Sequence, residues 1–466
     1  MLTLTTPDLR LFWTAYDPLD LASGSIDVLG FQAGYIALAD KLLPGFTTVT
    51  TSPRYVSMLC AAVAAAEAAF PGSADSAVRL RQTRMAAVKS YERAWALACG
   101  LAAGDVAVGD KAVDGLRGVQ YVRRRLGELS GREKAIRTSS FNLLANQVRY
   151  GGIGAYSTLM EDCHLATMRS VTPRPLGVQL ADSFTRPDDD LTVWDEDRPL
   201  PLDRLRDWGL RCHLGEFTRE EGRCLATALR GGEEGGWEDD VRWTALRMLA
   251  KVGEDGIAES VLLDRLLDAI RDGTADRLKA PPPCVRQIEA ALVLIRPYER
   301  LYQSVQFLFD AVRAAATDEP EARLGPLAAT APCVSALQGV RSAAGGLHTA
   351  MENAATIHPQ TAHDGRAAFA EAGVVGFAEA ARGVSDGEDL LGLVLDRHRD
   401  VQQGKFDRGE RKAAWVRRDP ANGSARLTAQ RHQLPRSGRY DSWDQVPWHP
   451  YRTFGARRFV KACGIR

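Results

Sequence analysis

A chain of 466 residues with 45% hydrophobic and 25% charged residues has enough apolar material for two or three cores, and that excludes a disordered chain and a disulfide scaffold. Formal charge is zero, with 59 Lys and Arg against 59 Asp and Glu, but the distribution is uneven: from Arg397 to Arg466 there are 17 cations and 6 carboxylates. A basic end therefore faces an acidic remainder.

The opening MLTLTTPDLRLFW carries Asp8 and Arg10 where a signal peptide needs an apolar stretch, so a cytoplasmic protein is expected. LLPGFTTVTTSPRYVSML places a Pro-Gly turn and a Thr-rich extended segment before a helix that opens at Pro53. The apolar run Met58–Phe70 is too short for a membrane span and contains Glu67, which points to a buried helix and no membrane partner. From Ser73, helical spacing of Val78, Met85, Val88, Trp95 and Leu97 predicts a helix with one buried face, Asp75 or Ser76 as cap and Gly100 near its stop.

Residues 139–169 show two helical patterns about the turn GGIG at 151–154, the outline of a helix-turn-helix inside a helical N-terminal domain, 1–185. Glu161 and Asp162 would repel phosphates there, which favours plain packing over a DNA-reading helix, and GGIG lacks the Lys and Ser or Thr of a phosphate-binding loop. Residues 186–245 are acidic and rich in Gly and Pro, as expected of a linker or loop-rich insertion with a solvated face. A helical bundle is predicted over 246–403, with Pro297 kinking or dividing its longest pattern. Beyond it, AAWVRR, the turn PANG and SARLTA predict a small hairpin within a basic, aromatic-rich α+β region, 404–466. The expected fold class is mainly α and multi-domain.

The eight cysteines form no CxxC pair, and the Cys-His neighbours at 163–164 and 212–213 lack zinc spacing, so reduced, mostly buried thiols and no cofactor are expected. His398 and His449 lie near cations but no spacing assigns them a catalytic role.

In the basic region, Lys405, Arg411, Lys412, Arg417, Arg418, Arg452, Arg457 and Arg458 are candidate phosphate contacts, with Trp415 and Trp448 as candidate stacking platforms. Arg408, Arg426, Arg431, Arg436 and Arg439 extend the run, as do Tyr440 and Trp443. The alternative is that the aromatics form a core and the cations pair with the acidic segment or with a protein partner.

Leu29-Gly30, Leu43-Pro44-Gly45, Thr47–Thr51 and Arg54-Tyr55, with SFNLLANQVRYGGIGAYS downstream and HPYR at 449–452, resemble an uncharacterised group of large bacterial proteins encoded in antiphage defence islands beside helicases and nucleases. The resemblance implies a subunit of an antiphage complex with protein partners, and it transfers no catalytic residues. Taken with the basic end, the expected function is non-enzymatic nucleic-acid binding, DNA ahead of RNA. A helical scaffold for proteins alone and a metal-dependent nuclease component are the other readings.

Overall fold

The computed structural model describes residues 27–466 apart from 73–76, 130–132, 145, 190, 255, 319–320, 408–409, 420 and 429–439. The opening Met1–Trp13, the expected caps Asp75 and Ser76, and Arg408, Arg431, Arg436 and Arg439 lie outside the described residues.

Nineteen helices are present among the described residues, and the protein is mainly helical. The first ten are α1 (Gln32–Leu42), α2 (Pro53–Ala69), α3 (Ala77–Ala102), α4 (Val119–Glu128), α5 (Gln147–Tyr150), α6 (Gly152–Asp162), α7 (Pro175–Ser183), α8 (Leu202–Cys212), α9 (Arg219–Leu229) and α10 (Trp237–Val252). The remainder are α11 (Glu259–Arg271), α12 (Thr274–Arg277), α13 (Pro282–Asp318), α14 (Leu324–Ala328), α15 (Ala331–Ile357), α16 (Pro359–Glu371), α17 (Val374–Gly383), α18 (Gly387–Gln403) and α19 (Thr453–Cys463). Short antiparallel pairs join β1 (Ala135–Ile136) to β4 (Leu200–Pro201), and β2 (Ala166–Thr167) to β3 (Thr172–Pro173). A third pair joins β6 (Phe406–Asp407) to β7 (Glu410–Arg411), and one three-stranded sheet runs β5 (Ala322–Arg323), β9 (Ser424–Leu427), β8 (Val416–Asp419).

Contacts divide the chain into two units. Among the described residues, unit one takes 27–42 and Glu254–Tyr451, and unit two takes Leu43–Gly253 and Arg452–Arg466. This division does not follow four consecutive segments: the basic end gives its strands to unit one and α19 to unit two.

Unit one is built on α13 and α15. Leu294, Ile295, Leu301, Val305 and Leu308 of α13 are buried, as are Ala336, Val340, Leu347 and Ala354 of α15. Small residues let the two backbones approach; a Cβ on Gly339 would fall 2.6 Å from the Ser304 hydroxyl. Pro297 does not divide the pattern, since α13 continues through it for 37 residues. Arg397 of α18 donates to the carbonyls of Ala372 and Gly373 at the end of α16, at 3.1 and 2.8 Å. The Ala372 oxygen closes α16 with no partner within that helix, and the Gly373 oxygen also accepts the Phe377 N–H that opens α17 at 3.2 Å, so a buried guanidinium joins the two helix ends.

Unit two centres on α2, α3 and α8. Pro53 opens α2 as its residue type favours, while α3 departs from the expected single stripe: Val78 is exposed and Ser90–Cys99 is buried on every side. Gly100 lies two residues before the end of α3, near the stop as expected, and is also a packing position, because a Cβ there would lie 2.5 Å from Val122 of α4. Gly209 lets α8 press onto the Ala98 carbonyl, and Trp208 meets Tyr91 edge-on at 5.6 Å. The acidic stretch expected as a linker supplies α8, α9 and most of α10, with Leu205, Trp208, Leu225, Leu229 and Val241 buried. Apart from buried Glu221, Asp239 and Arg242, most of its charges occupy the outward positions of amphipathic helices.

The outline of a helix-turn-helix at 139–169 is not what forms. Residues 138–140 make a 3-10 turn, α5 is four residues long, and GGIG runs into the first turn of α6. The cause is Glu92, wholly buried in α3, whose carboxylate accepts from the Gly152 N–H at 2.6 Å and from the Gln147 amide at 2.8 Å. A Cβ at Gly151 or Gly152 would crowd that carboxylate.

Two buried arginines fasten the rest of unit two. Arg242 donates to the carbonyls of Leu229, Asp162 and Pro44, at 3.0, 3.1 and 3.4 Å, and pairs with Asp239. Arg54 pairs with Glu221 and donates to the Cys212 carbonyl at 3.3 Å, while Glu221 also closes a capping box with Thr218 at the start of α9. We expect Glu221→Ala to destabilise unit two by about 3–5 kcal/mol, because it strands a buried cation. The double change Arg54→Met/Glu221→Leu should recover most of that loss, as read from urea unfolding midpoints.

Candidate functional site

The hairpin predicted from AAWVRR and SARLTA is present: β8 and β9 pair antiparallel, with Arg417 opposite Arg426 and Asp419 opposite Ser424. Its turn is held by Asn422, whose side-chain oxygen accepts from the Ser424 N–H at 3.1 Å and hydroxyl at 2.6 Å, and by Gly423 at a positive φ of 61°. β5 adds to the free edge of β9, with Arg323 opposite Ser424. Alternation along a strand then decides the faces. Val416, Ala425 and Ala322 are buried on one side, whereas Arg417, Arg426 and Arg323 are exposed on the other.

Three arginines thus share one solvent-facing side of a small sheet. Two of them sit directly opposite each other, a like-charge arrangement that weakens a sheet on its own. Among the described residues none of the three side chains has an ion-pair or hydrogen-bond partner. Asp419, the acid on that face, accepts from the Ala421 N–H at 2.9 Å. Arg418 points to the inner side, where it pairs with Asp389 at 3.2 Å and Asp396 at 3.8 Å of α18; Gly392 leaves the room its guanidinium fills.

The other candidates from the basic end are not gathered here. Lys405 is buried and donates to the Asp27 carbonyl, and burial lowers its ammonium pKa. Arg411 is exposed on β7 and Lys412 half-buried after it. Trp415 is half-buried and meets the His398 ring edge-on at 5.8 Å; Trp448 is half-buried in the segment that precedes Tyr451. Arg452, Arg457 and Arg458 belong to unit two. Arg452 is buried at a φ of 67° with a guanidinium hydrogen bond to the Leu43 carbonyl at 3.5 Å. Arg457 is half-buried beside Gly253, and Arg458 reaches Asp114 at 3.4 Å and lies over the Phe454 ring.

The aromatics between these cations mostly serve folding. Tyr451 donates to buried Glu299 at 2.7 Å, and His449 holds the same carboxylate through its Nδ1 at 2.9 Å while stacking on Tyr35 at 4.8 Å. Gln303 donates to the Val446 carbonyl at 2.5 Å. In α19, Phe459 is buried edge-on against Phe46 at 5.1 Å.

His398 is a structural link of a different kind. Its Nδ1 lies 3.0 Å from the Val28 carbonyl, and its Nε2 accepts from the Trp415 N–H at 2.9 Å, an arrangement that requires the neutral ring. Burial pushes its pKa down from 6.5 to about 4. Six cysteines are likewise buried and all eight are free; burial raises Cys163 to about 11 and Cys99 to about 12, away from nucleophilic use. Among the described residues, no three His, Cys, Asp or Glu side chains are placed to hold a metal ion, and no helix is long and apolar enough to cross a membrane.

Arg323 was missed in the sequence because it lies far from the basic end; only strand pairing brings it to β9. Comparison of the chain with protein-family models, with curated proteins and with solved structures finds no match.

The His398 geometry fixes a pH dependence. Above pH 6.5 neither state is protonated there. Below it the unfolded chain takes up a proton first, so stability falls from about pH 6.5 to about pH 4, by up to ~3 kcal/mol, and is flat below. We expect His398→Phe to lower stability at pH 7 and to flatten this segment of the curve, measured by urea unfolding at half-unit pH steps.

Proposed function

We propose that the protein binds nucleic acid through its phosphate backbone, using the outward side of the β5–β9–β8 sheet. The observation that carries the reading is the opposed pair Arg417 and Arg426, flanked by Arg323, exposed and without a carboxylate partner among the described residues. Arginine side chains held at strand spacing offer several donors to successive phosphates, and a bound anion converts the repulsion between them into attraction. Arg411 on β7 is a further exposed cation of the same unit.

Phosphate contacts give affinity without sequence preference, so the reading is of a non-enzymatic nucleic-acid-contacting subunit, with DNA ahead of RNA. A place in an antiphage assembly with protein partners rests on the resemblance of residues 27–60, 140–157 and 449–452.

The test is fluorescence anisotropy of the full chain with single- and double-stranded DNA and RNA of equal length, across a salt series from about 50 to about 200 mM. For Arg323→Ala/Arg417→Ala/Arg426→Ala, affinity should fall uniformly across sequences. The slope of log affinity against log salt should shrink by about 2–3 on duplex DNA. Equal binding by the variant and the parent would overturn the assignment to this face; no binding by the parent at the lowest salt would overturn the nucleic-acid reading and favour an acidic protein partner.

A further inference from the structure

Unit two carries an open cleft of about 890 Å³ that the nucleic-acid reading does not use. Its lining includes the start of α2, Lys111, Arg123 of α4, and Arg458 and Lys461 of α19, with the carboxylates Asp110 and Asp114 among them. A helix of 17 residues places a partial positive charge at that end, which suits an anion, while the Ser52 N–H is taken by the Tyr156 hydroxyl at 2.9 Å and the Tyr55 N–H by the Ser52 carbonyl at 3.2 Å.

Two independent features show that this end is left open to a partner. Ser52 stands at the N-cap, where its residue type normally closes onto the first turn, yet it makes no capping hydrogen bond. Its side chain has no other partner among the described residues, although Ser52 is only 7% exposed. Beside it, Nη2 of Arg54 is buried with no hydrogen-bond partner. Ser52 lines the cleft, and a hydroxyl there without a protein partner is a group that a ligand can engage.

The charge of the walls selects the sign. Arg54 is paired with Glu221, Arg123 engages Asp110 at 2.7 Å, and Arg458 engages Asp114 at 3.4 Å. Lys111 is exposed and has no carboxylate partner among the described residues, and Lys461 adds a further cation. Leu214 and Phe217 add apolar surface to the lining. The cleft has the volume of a site for a molecule of nucleotide size.

We propose that this cleft binds a small phosphorylated molecule, with its phosphate against Ser52 and the α2 N-terminus and its organic body against Leu214 and Phe217. Isothermal titration calorimetry of the full chain with ADP, pyrophosphate, inorganic phosphate and adenosine tests it. ADP should bind, pyrophosphate and phosphate should bind more weakly, and adenosine should give no heat. Ser52→Ala and Lys111→Ala should each weaken ADP by about tenfold, the loss of one charge-assisted contact. Lys111→Glu, on the exposed wall, serves if Ser52→Ala does not fold. Arg417→Ala should leave ADP affinity unchanged, which separates this site from the sheet face. No heat from ADP or pyrophosphate at millimolar concentration, or an affinity indifferent to both Lys111 changes, overturns the proposal.

Discussion

A protein made of many helices must bury many helix ends, and the last carbonyls of each helix have no partner within it. Here arginines answer that demand. Arg54 reaches the end of α8, Arg242 the ends of α6 and α9, Arg397 the end of α16, and Arg84 the Phe70 carbonyl that closes α2. Arg341 does the same after α17, and Arg117 at the end of α5. One guanidinium has five donors in a fixed plane and opposes the negative end of the helix dipole, so a single side chain can join two or three termini. Packing of the apolar faces depends on these joints, because an unsatisfied buried carbonyl would cost about as much as a well-packed side chain contributes.

The same constraint explains how the basic end should be understood. Arginine is chosen both for phosphate and for buried carbonyls, and a linear count of cations mixes the two uses. Lys405 and Arg452 are spent inside the fold on the carbonyls of Asp27 and Leu43, while Arg417 and Arg426 stand outward on a hairpin. What divides them is the register of two four-residue strands, since a shift of one residue would turn Arg417 inward and Arg418 outward.

That register was legible in part. The PANG turn and the alternating flanks announced the hairpin, Pro53 announced the start of α2, and the helical periodicities announced a mainly α protein. The rest depended on partners distant in sequence. Arg323 joins β9 only after α13 and α15 have brought its strand alongside; GGIG becomes a helix start only because Glu92 of α3 accepts the Gly152 N–H. Val78 was misjudged because a period of 3.6 marks which residues share a face of a helix, not which part of its length is covered. The cleft residues Ser52, Lys111 and Arg123 carried no local signal, as a missing cap bond is a fact of three dimensions.

Both units are discontinuous, and this sets a timetable for synthesis. α19 packs on α9 and α10, yet it is made about 200 residues after α10, with the bulk of unit one in between. At ordinary translation rates that is a wait of about 10–40 s. During that interval the surfaces that receive Phe459 and Ala456 are uncovered on the nascent chain, and α1 has likewise waited for α13. The two units therefore reach completion almost together, only when Tyr451 and α19 have been made, and a chaperone that shields apolar helix faces on the ribosome has a defined period in which to act.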